Sequence, residues 1–165
     1  MCSIEIPTVE EVDALDKLGA NTEANGNNEY GMSVALNESG EAVIKNTTNN
    51  SKDIDMAPAL KANYDEGNTH IYDAHSHPIG LIDPNDVSKG VYVPESSSQD
   101  RKNRAKREKA FNYTRPSVVV GKYTRLNSNG NIVTDQFRSA TFYDSKDDIG
   151  TIPIIKLRAL SIKVY

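Results

Sequence analysis

Residues 69–80, THIYDAHSHPIG, constrain this chain more than any other stretch, because they hold all three of its histidines and place two of them one residue apart. Side chains alternate between the two faces of a β-strand, so a strand here directs His75 and His77 to the same side. Their imidazoles can then close on a single ion. We therefore predict a fold in which one strand ends in a metal-binding pair.

The length and composition of the chain predict one loop-rich domain of mixed structure. Its 165 residues match an ordinary single domain and suffice to bury a core. Much of the polar content is Asn, Ser, Asp and Lys, which favour turns and loops over a long helical bundle. We expect an α+β fold, with residues 1–28 as an N-terminal helix and linker and residues 29–165 as the main domain.

Local patterns predict the order of the elements. Thr8 and Glu11 form a capping-box pattern that begins a helix, Gly19 can end that helix, and residues 20–29 form a loop or linker. A β-hairpin follows over residues 29–46. The remaining predictions, in chain order, are a polar loop at 46–55, a short helix from Pro58, a strand at 69–77, an irregular segment at 78–98, a helix at 98–112, and strands at 117–126, 131–137, 140–143 and 152–165.

The charge pattern restricts the class of partner. A net charge of −4 argues against general affinity for nucleic acid. The basic run at residues 101–109 crowds like charges at helical spacing, which predicts a solvated face; its functional alternative is a surface for an acidic partner or for nucleic acid. No run of about 18 apolar residues occurs and the acidic N-terminus is unlike a usual signal peptide, so we expect no membrane partner. The single Cys2 cannot form an internal disulfide and leaves the compartment open.

Several residues have the chemistry of a hydrolytic zinc site, which needs three protein ligands, an open position for water, and a carboxylate that takes the proton of this water. His75 and His77 supply two ligands. Asp100, at the start of a predicted helix, is the expected third ligand, and Asp86 in the irregular segment is its competitor. Glu29, on the first strand, is the expected general base.

These residues stand in the order of a known family motif. The chain resembles the JAB/MPN zinc metallopeptidases, whose JAMM motif is an upstream Glu, then H-x-H-P, then S-x-x-D. The resemblance spans about residues 27–145. Its matching segments here are NNEYGM with Glu29, HSHP with His75 and His77, and SSQD with Ser97 and Asp100.

Two spacings depart from the family. The segment from Glu29 to Gly31 is one residue shorter than is common after the family's Glu, and the larger departure follows the HSHP segment. His77 and Ser97 are separated by 19 residues, where the family usually has fewer than a dozen. This difference indicates an inserted loop at about 79–96. Asp86 lies within the insertion, but no serine stands three residues before it, so Asp100 ranks higher as the third ligand.

The resemblance implies a cytidine-deaminase-like JAB/MPN architecture, which is a mixed β-sheet flanked by helices. In it, His75, His77 and Asp100 would hold Zn²⁺. It further implies that Glu29 is the general base and that Ser97 stabilises the oxyanion. The reaction would be hydrolysis of an amide or isopeptide bond in a protein or peptide through a zinc-bound water.

Among members of this family, the chain looks most like the JAB-like domains of bacterial polymorphic toxins. Such domains are effectors delivered into a target cell, where they act in the cytoplasm, and an immunity protein neutralises them in the producer. The resemblance therefore predicts a toxin effector with an immunity protein as its partner. Separately, we expect a monomer. Outside such a delivery system, we expect a cytoplasmic enzyme.

Two other functions stay open. H-x-H with acidic ligands and a basic helix also suits a metal-dependent nuclease, and a metal-free MPN-like scaffold would bind proteins without catalysis. Near the motif, His70 is at odd register to His75, so we expect it to face the other side of the strand and not to bind metal. Asp73 shares the register of His75 and could orient an imidazole.

Overall fold

The computed structural model describes residues 5–26, 28–47 and 54–164. Within them, four α-helices accompany a mixed six-stranded sheet and a separate two-stranded sheet, so the predicted α+β fold is confirmed. The elements, in chain order, are α1 (Val9–Ala24), β1 (Gly31–Leu36), β2 (Ala42–Asn46), α2 (Ala57–Asp65), β3 (Thr69–Ser76), α3 (Ser98–Phe111), β4 (Ser117–Gly121), β5 (Thr124–Leu126), β6 (Ile132–Thr134), β7 (Ser139–Tyr143), β8 (Asp148–Pro153) and α4 (Ile154–Val164).

The large sheet has the strand order β2-β1-β3-β4-β7-β8. Only β3 and β4 are parallel among its described strand pairs, and the other neighbours are antiparallel. A parallel pair needs a long crossover connection, which here consists of the irregular segment and α3. Because β3 ends at Ser76 in the middle of the sheet, residues around its end lie beside the start of that crossover.

Helices cover both faces of the large sheet. On one face, α1 and α4 bury Val12, Leu15 and Leu157 against strand residues such as Tyr72 and Val118. On the other face, α2 and α3 make side-chain contacts with the strands. Asn63 of α2 donates to Ser33 Oγ at 3.1 Å, and Arg104 of α3 donates to Ser117 Oγ at 3.1 Å. The result is a sheet between two helical layers, as predicted.

Several predicted elements are confirmed. The capping box of Thr8 and Glu11 begins α1, the hairpin forms β1 and β2, and Pro58 lies in the first turn of α2. The strand before the histidine pair and the basic helix form β3 and α3. Of the predicted polar loop at 46–55, residues 48–53 lie outside the described part of the chain.

α1 does not end at Gly19, as predicted, but continues to Ala24. Gly19 allows a close approach, since a Cβ there would lie 2.5 Å from Arg138 Cδ and 3.3 Å from Val120 Cγ1. Because Gly19 has no side chain, the Arg138 side chain can pack against α1 at this position. The glycine therefore serves packing and does not end the helix. Residues 20–24, predicted as loop, therefore belong to the helix, and Thr22 contacts the end of β3 through Ser76.

The C-terminal segment is also different from its prediction as one long strand. β8 ends at Pro153, and α4 occupies the rest of the described segment. The buried residues Ile154, Leu157 and Ser161 are three and four positions apart, which is helical spacing. An apolar run alone is compatible with a strand or a helix. The spacing of its buried residues distinguishes the two, and here it is helical. Similarly, the predicted strand at 117–126 is divided into β4 and β5, which lie in different sheets.

The prediction that His70 faces away from the metal-binding pair is wrong. The register between β1 and β3 shifts at Ile71, which has no partner in that ladder. Such a β-bulge reverses the alternation of side chains, so Ile71 joins the core beneath α1 and His70 turns toward α2 and α3. There His70 Nδ1 lies 3.1 Å from Ser33 Oγ, and its ring centroid lies 4.4 Å from that of Phe111.

The segment between β3 and α3 folds back on itself. Leu81 and Val91 form an isolated bridge, and a short 3₁₀ turn spans Val87–Lys89 between them. This arrangement brings Val93 back to the end of β3. No helix within the described residues is long and apolar enough to cross a bilayer.

Candidate metal centre

The end of β3 presents two imidazoles on one side of the sheet. His75 lies within the strand, paired with Gly31 of β1 and Val119 of β4, and is only 4% exposed. His77 follows the strand, and its backbone N–H donates to Val120 O at 2.8 Å, which keeps the chain extended. The two Nε2 atoms consequently lie 3.2 Å apart.

The loop between β3 and α3 fixes the orientation of one imidazole. His77 Nδ1 lies 2.9 Å from the carbonyl oxygen of Val93. A carbonyl can only accept, so Nδ1 carries the proton of the neutral ring and Nε2 keeps a lone pair. Metal-binding histidines commonly have such a partner on the second nitrogen. The loop at 79–96 therefore contributes to the site through its backbone.

α3 brings the third candidate ligand to the two histidines. Ser97 caps the helix: its Oγ accepts from Asp100 N at 3.1 Å, and Asp100 Oδ2 accepts from Ser97 N at 2.7 Å. The same Asp100 carboxylate places Oδ1 3.2 Å from His75 Nε2 and Oδ2 3.3 Å from His77 Nε2. The predicted S-x-x-D segment is thus a capping box whose carboxylate also faces the imidazoles.

The three donor groups fit a zinc ion. Zinc bonds nitrogen at about 2.0–2.1 Å and prefers tetrahedral geometry, which places two ligand atoms roughly 3.3–3.4 Å apart. The observed separations between His75, His77 and Asp100 are 3.2 to 3.3 Å, and one ligand atom from each lies within 4.8 Å of the others. Two imidazoles and one carboxylate are an ordinary donor set for a catalytic zinc with an open position.

The structure does not bring Asp86 to this cluster. Its carboxylate caps the 3₁₀ turn and accepts from Ser88 N at 3.1 Å and from Ser88 Oγ at 2.6 Å. Of the two candidates for the third ligand, Asp100 is the one that meets the histidines. The cluster of described residues that could bind a metal ion accordingly consists of His75, His77 and Asp100.

Burial and hydrogen bonding have opposite effects on the pKa values of the cluster. Burial raises the pKa of Asp100, but the hydrogen bonds and charges of His75 and His77 outweigh burial and hold this pKa well below its ordinary value. Burial lowers the pKa of His77, whereas Asp100, the Val93 carbonyl and the charge of Glu29 raise it, and the net shift is upward. Asp100 is therefore ionised, as a metal ligand must be.

The cluster opens into a cavity of about 640 Å³, which Glu29 and Ser97 also line. Glu29 lies just before β1, and it is close enough to His77 for its charge to affect the pKa of that imidazole. Apolar side chains from the loop at 79–96, including Ile82 and Val91, form part of the wall. Four of the five residues of the predicted site, Glu29, His77, Ser97 and Asp100, thus line one cavity. The fifth, His75, is buried behind them and contacts His77 and Asp100.

The predicted role of Asp73 as a partner of an imidazole is not what the structure shows. Asp73 Oδ1 accepts from Ser117 Oγ at 2.7 Å, and Oδ2 accepts from Tyr113 OH at 3.0 Å. Oδ2 also forms an ion pair with Arg107 Nε. Both oxygens are therefore engaged behind the cluster, between α3 and the sheet.

The basic run is only partly the solvated face that its charge pattern predicts. Lys102 and Lys106 are exposed, but Arg104 is 3% exposed and lies between α3 and the sheet. Arg101 donates to the carbonyl oxygen of Ser96 at 2.7 Å. The sequence pattern does not predict that arginines of this run face inward, because lysines stand between them in the same run of basic residues.

Comparison with protein-family models found no match, and comparison with curated proteins found no similar sequence. The resemblance to the JAMM metallopeptidases consequently depends on the order of the motif residues.

The cap at α3 leads to a prediction with a built-in control. Ser97→Ala is expected to lower the free energy of unfolding by about 1 kcal/mol, because it removes the side-chain acceptor of the capping box. Thr8→Ala removes the same kind of cap from α1 and is expected to cost a similar amount. Urea denaturation measures both.

Only Ser97→Ala is expected to weaken zinc binding, by roughly 10-fold, because its cap orders the turn that carries Asp100. A chelator competition measures the affinity. Equal zinc affinity of the Ser97→Ala and Thr8→Ala proteins would show that the cap does not support the ligand.

Proposed function

We propose that this chain is a zinc-dependent peptidase or isopeptidase that hydrolyses an amide bond. The observation that carries the proposal is the approach of two imidazole nitrogens and a carboxylate to 3.2–3.3 Å of one another. A second carboxylate, Glu29, and a hydroxyl, Ser97, line the same cavity. These are the ligand, base and hydrogen-bond donor functions that hydrolysis of an amide requires.

The proposed roles follow from the chemistry of each group. Zinc, held by His75, His77 and Asp100, would act as a Lewis acid that makes water acidic near neutral pH and polarises the scissile carbonyl. Glu29 accepts the proton of the attacking water and delivers it to the leaving amine. Ser97 Oγ accepts from Asp100 N, so its own O–H can donate to the developing oxyanion.

The lining of the cavity favours an amide over a phosphodiester substrate. Among the described residues that form it, none is Lys or Arg, whereas Glu29, Glu95 and Asp100 are carboxylates. Phosphodiester substrates bring negative charge and are normally held by basic groups. The buried Arg104 and the ion-paired Arg107 face the sheet, so these two residues of the basic helix are not offered to the cavity.

The substrate experiment compares amide and phosphodiester hydrolysis with one zinc-loaded preparation. A quenched-fluorescence peptide library and isopeptide-linked protein conjugates are the amide substrates, and plasmid and tRNA are the phosphodiester substrates. We expect cleavage in the first group alone. Cleavage of plasmid or tRNA alone would contradict the proposal. A folded chain that binds no metal and cleaves neither class of substrate would favour a protein-binding scaffold.

The toxin setting is part of the proposal and rests on the resemblance to effector domains. In that setting the substrate is a protein of the target-cell cytoplasm, and an immunity protein covers the cavity in the producer. Expression of the chain in a bacterial cytoplasm should then slow growth, and Glu29→Gln should abolish the effect. Equal growth with both proteins at equal soluble levels would contradict the toxin assignment while leaving the chemistry unaffected.

A further inference from the structure

The helix that carries the third candidate ligand lies on the sheet without an apolar face. α3 is described over its full length, and Arg104 is its one buried residue. Ala105 and Ala110 are exposed, and Phe111 at the last position packs in a small cluster beside α2. A metal ligand must be held within about 0.5 Å of its productive position. Polar contacts must therefore supply most of the orientation of α3.

Those contacts come from two arginines that face the sheet. Arg107 forms an ion pair with Asp73 of β3. Arg104 donates to Ser117 Oγ at 3.1 Å and to the carbonyl oxygen of Arg115 at 3.0 Å. The Arg104 guanidinium also lies 4.5 Å from the ring centroid of Tyr113. These contacts attach α3 to β3, to β4 and to the chain that connects α3 with β4.

The spacing along both elements links these contacts to the metal centre. Asp100, Arg104 and Arg107 are four and three residues apart, so they share one face of the helix. Asp73 and His75 are two residues apart and share one face of β3. The two faces meet at two points, Asp100 with His75 and Arg107 with Asp73. A rotation or shift of α3 that breaks one contact also disturbs the other.

Asp73 is too buried to tolerate the loss of its cationic partner. Its side chain is 1% exposed, and the two neutral donors Tyr113 and Ser117 bring no charge. A buried carboxylate without a cation carries a large desolvation cost. The native orientation of α3, in which Arg107 reaches Asp73, is therefore favoured over alternatives that separate them.

We infer that Asp73 and Arg107 are positioning residues, whose ion pair orients α3 and thereby places Asp100 beside the two histidines. The inference rests on the zinc site of the proposed function, but it does not depend on the hydrolysis of any substrate. By this inference, Arg107 of the basic helix serves to orient α3 on the sheet and does not serve to bind an external partner.

The test measures zinc affinity by chelator competition, the visible absorption of the Co²⁺-substituted protein, and stability in urea. Four variants of the full chain are compared with wild type: Arg107→Met, Arg107→Lys, the double variant Asp73→Asn with Arg107→Met, and Lys106→Met. Lys106 is the matched control, because it neighbours Arg107 on α3 and is exposed. Co²⁺ absorption reports the ligand geometry independently of activity.

We expect Arg107→Met to weaken zinc binding by about 10- to 100-fold, the usual cost of losing a group that supports a ligand. The Co²⁺ spectrum should change with it. Arg107→Lys should recover part of the affinity because it keeps the charge, and Lys106→Met should match wild type.

The double variant separates positioning from a purely structural role. It removes the buried unpaired carboxylate, so its stability should exceed that of Arg107→Met, while its zinc affinity should stay low. The inference is overturned if zinc affinity and the Co²⁺ spectrum of Arg107→Met and of the double variant equal those of wild type. It is also overturned if affinity in the double variant returns in step with stability.

Failure of the proposed function gives different results. A wild-type chain that binds zinc but hydrolyses no amide contradicts the proposed reaction, and the affinity ratios still decide the inference. A wild-type chain that binds no zinc contradicts the metal centre and overturns the inference together with it.

Discussion

Glu29→Gln is expected to keep its zinc and to lose hydrolytic activity by about 10²- to 10⁴-fold, the range that a positioned general base contributes. The amide side chain has nearly the same shape, but it cannot accept the proton of the attacking water. Glu29 is not one of the three candidate metal ligands, so the affinity for zinc should change little. Because the loss affects the transition state, kcat and kcat/KM should fall together.

Steady-state kinetics on the best amide substrate, with zinc content measured on the same sample, checks this expectation. Glu66→Gln is a suitable control, since Glu66 is an exposed carboxylate paired with Lys45 near the opposite end of β3. That variant should retain wild-type activity. A Glu29→Gln protein with full activity and full zinc occupancy would exclude Glu29 as the base.

His77→Ala is expected to lose both zinc and activity. The substitution removes one of three protein donors, including the Nε2 atom that Val93 orients through Nδ1. Loss of a donor should exceed the roughly 10- to 100-fold weakening that loss of a supporting hydrogen bond causes. We therefore expect zinc affinity to fall by more than about 100-fold, with activity lost in proportion.

His70→Gln provides the matched control for a histidine on the same strand. His70 faces the same side of the sheet as His75, but its Nδ1 lies against Ser33 Oγ and it is outside the candidate metal cluster. The glutamine can still hydrogen-bond Ser33, so zinc content should remain that of wild type. If His77→Ala kept its zinc, or if His70→Gln lost it, the ligand assignment would be wrong.

Most of the fold can be predicted from local patterns with strong physical causes. Thr8 and Glu11 cap α1, and alternation within residues 69–77 predicts β3. Two of the errors have different causes. Gly19 lies inside α1 because a distant residue, Arg138, occupies the space of its missing side chain. The helix after Pro153 has a local signal instead, since its buried residues are three and four positions apart.

The candidate metal ligands can be predicted from the sequence, but the groups that orient them cannot. The spacing of H-x-H and S-x-x-D is local information, and the structure places His75, His77 and Asp100 together. The Val93 carbonyl cannot be predicted, because every residue has a carbonyl and only the fold of the loop selects this one. The bulge at Ile71 likewise has no signal in the strand pattern, and it alone reverses the side that His70 faces.

Zinc content per chain is the most direct test of the metal centre, measured by native mass spectrometry on wild type, Asp100→Ala and Asp86→Ala. Asp100 approaches both imidazoles, whereas Asp86 caps a turn outside the cluster. We predict about one zinc per wild-type chain and per Asp86→Ala chain, and a loss of zinc in Asp100→Ala. Wild-type protein without zinc after reconstitution, or full occupancy in Asp100→Ala, would contradict the proposed centre.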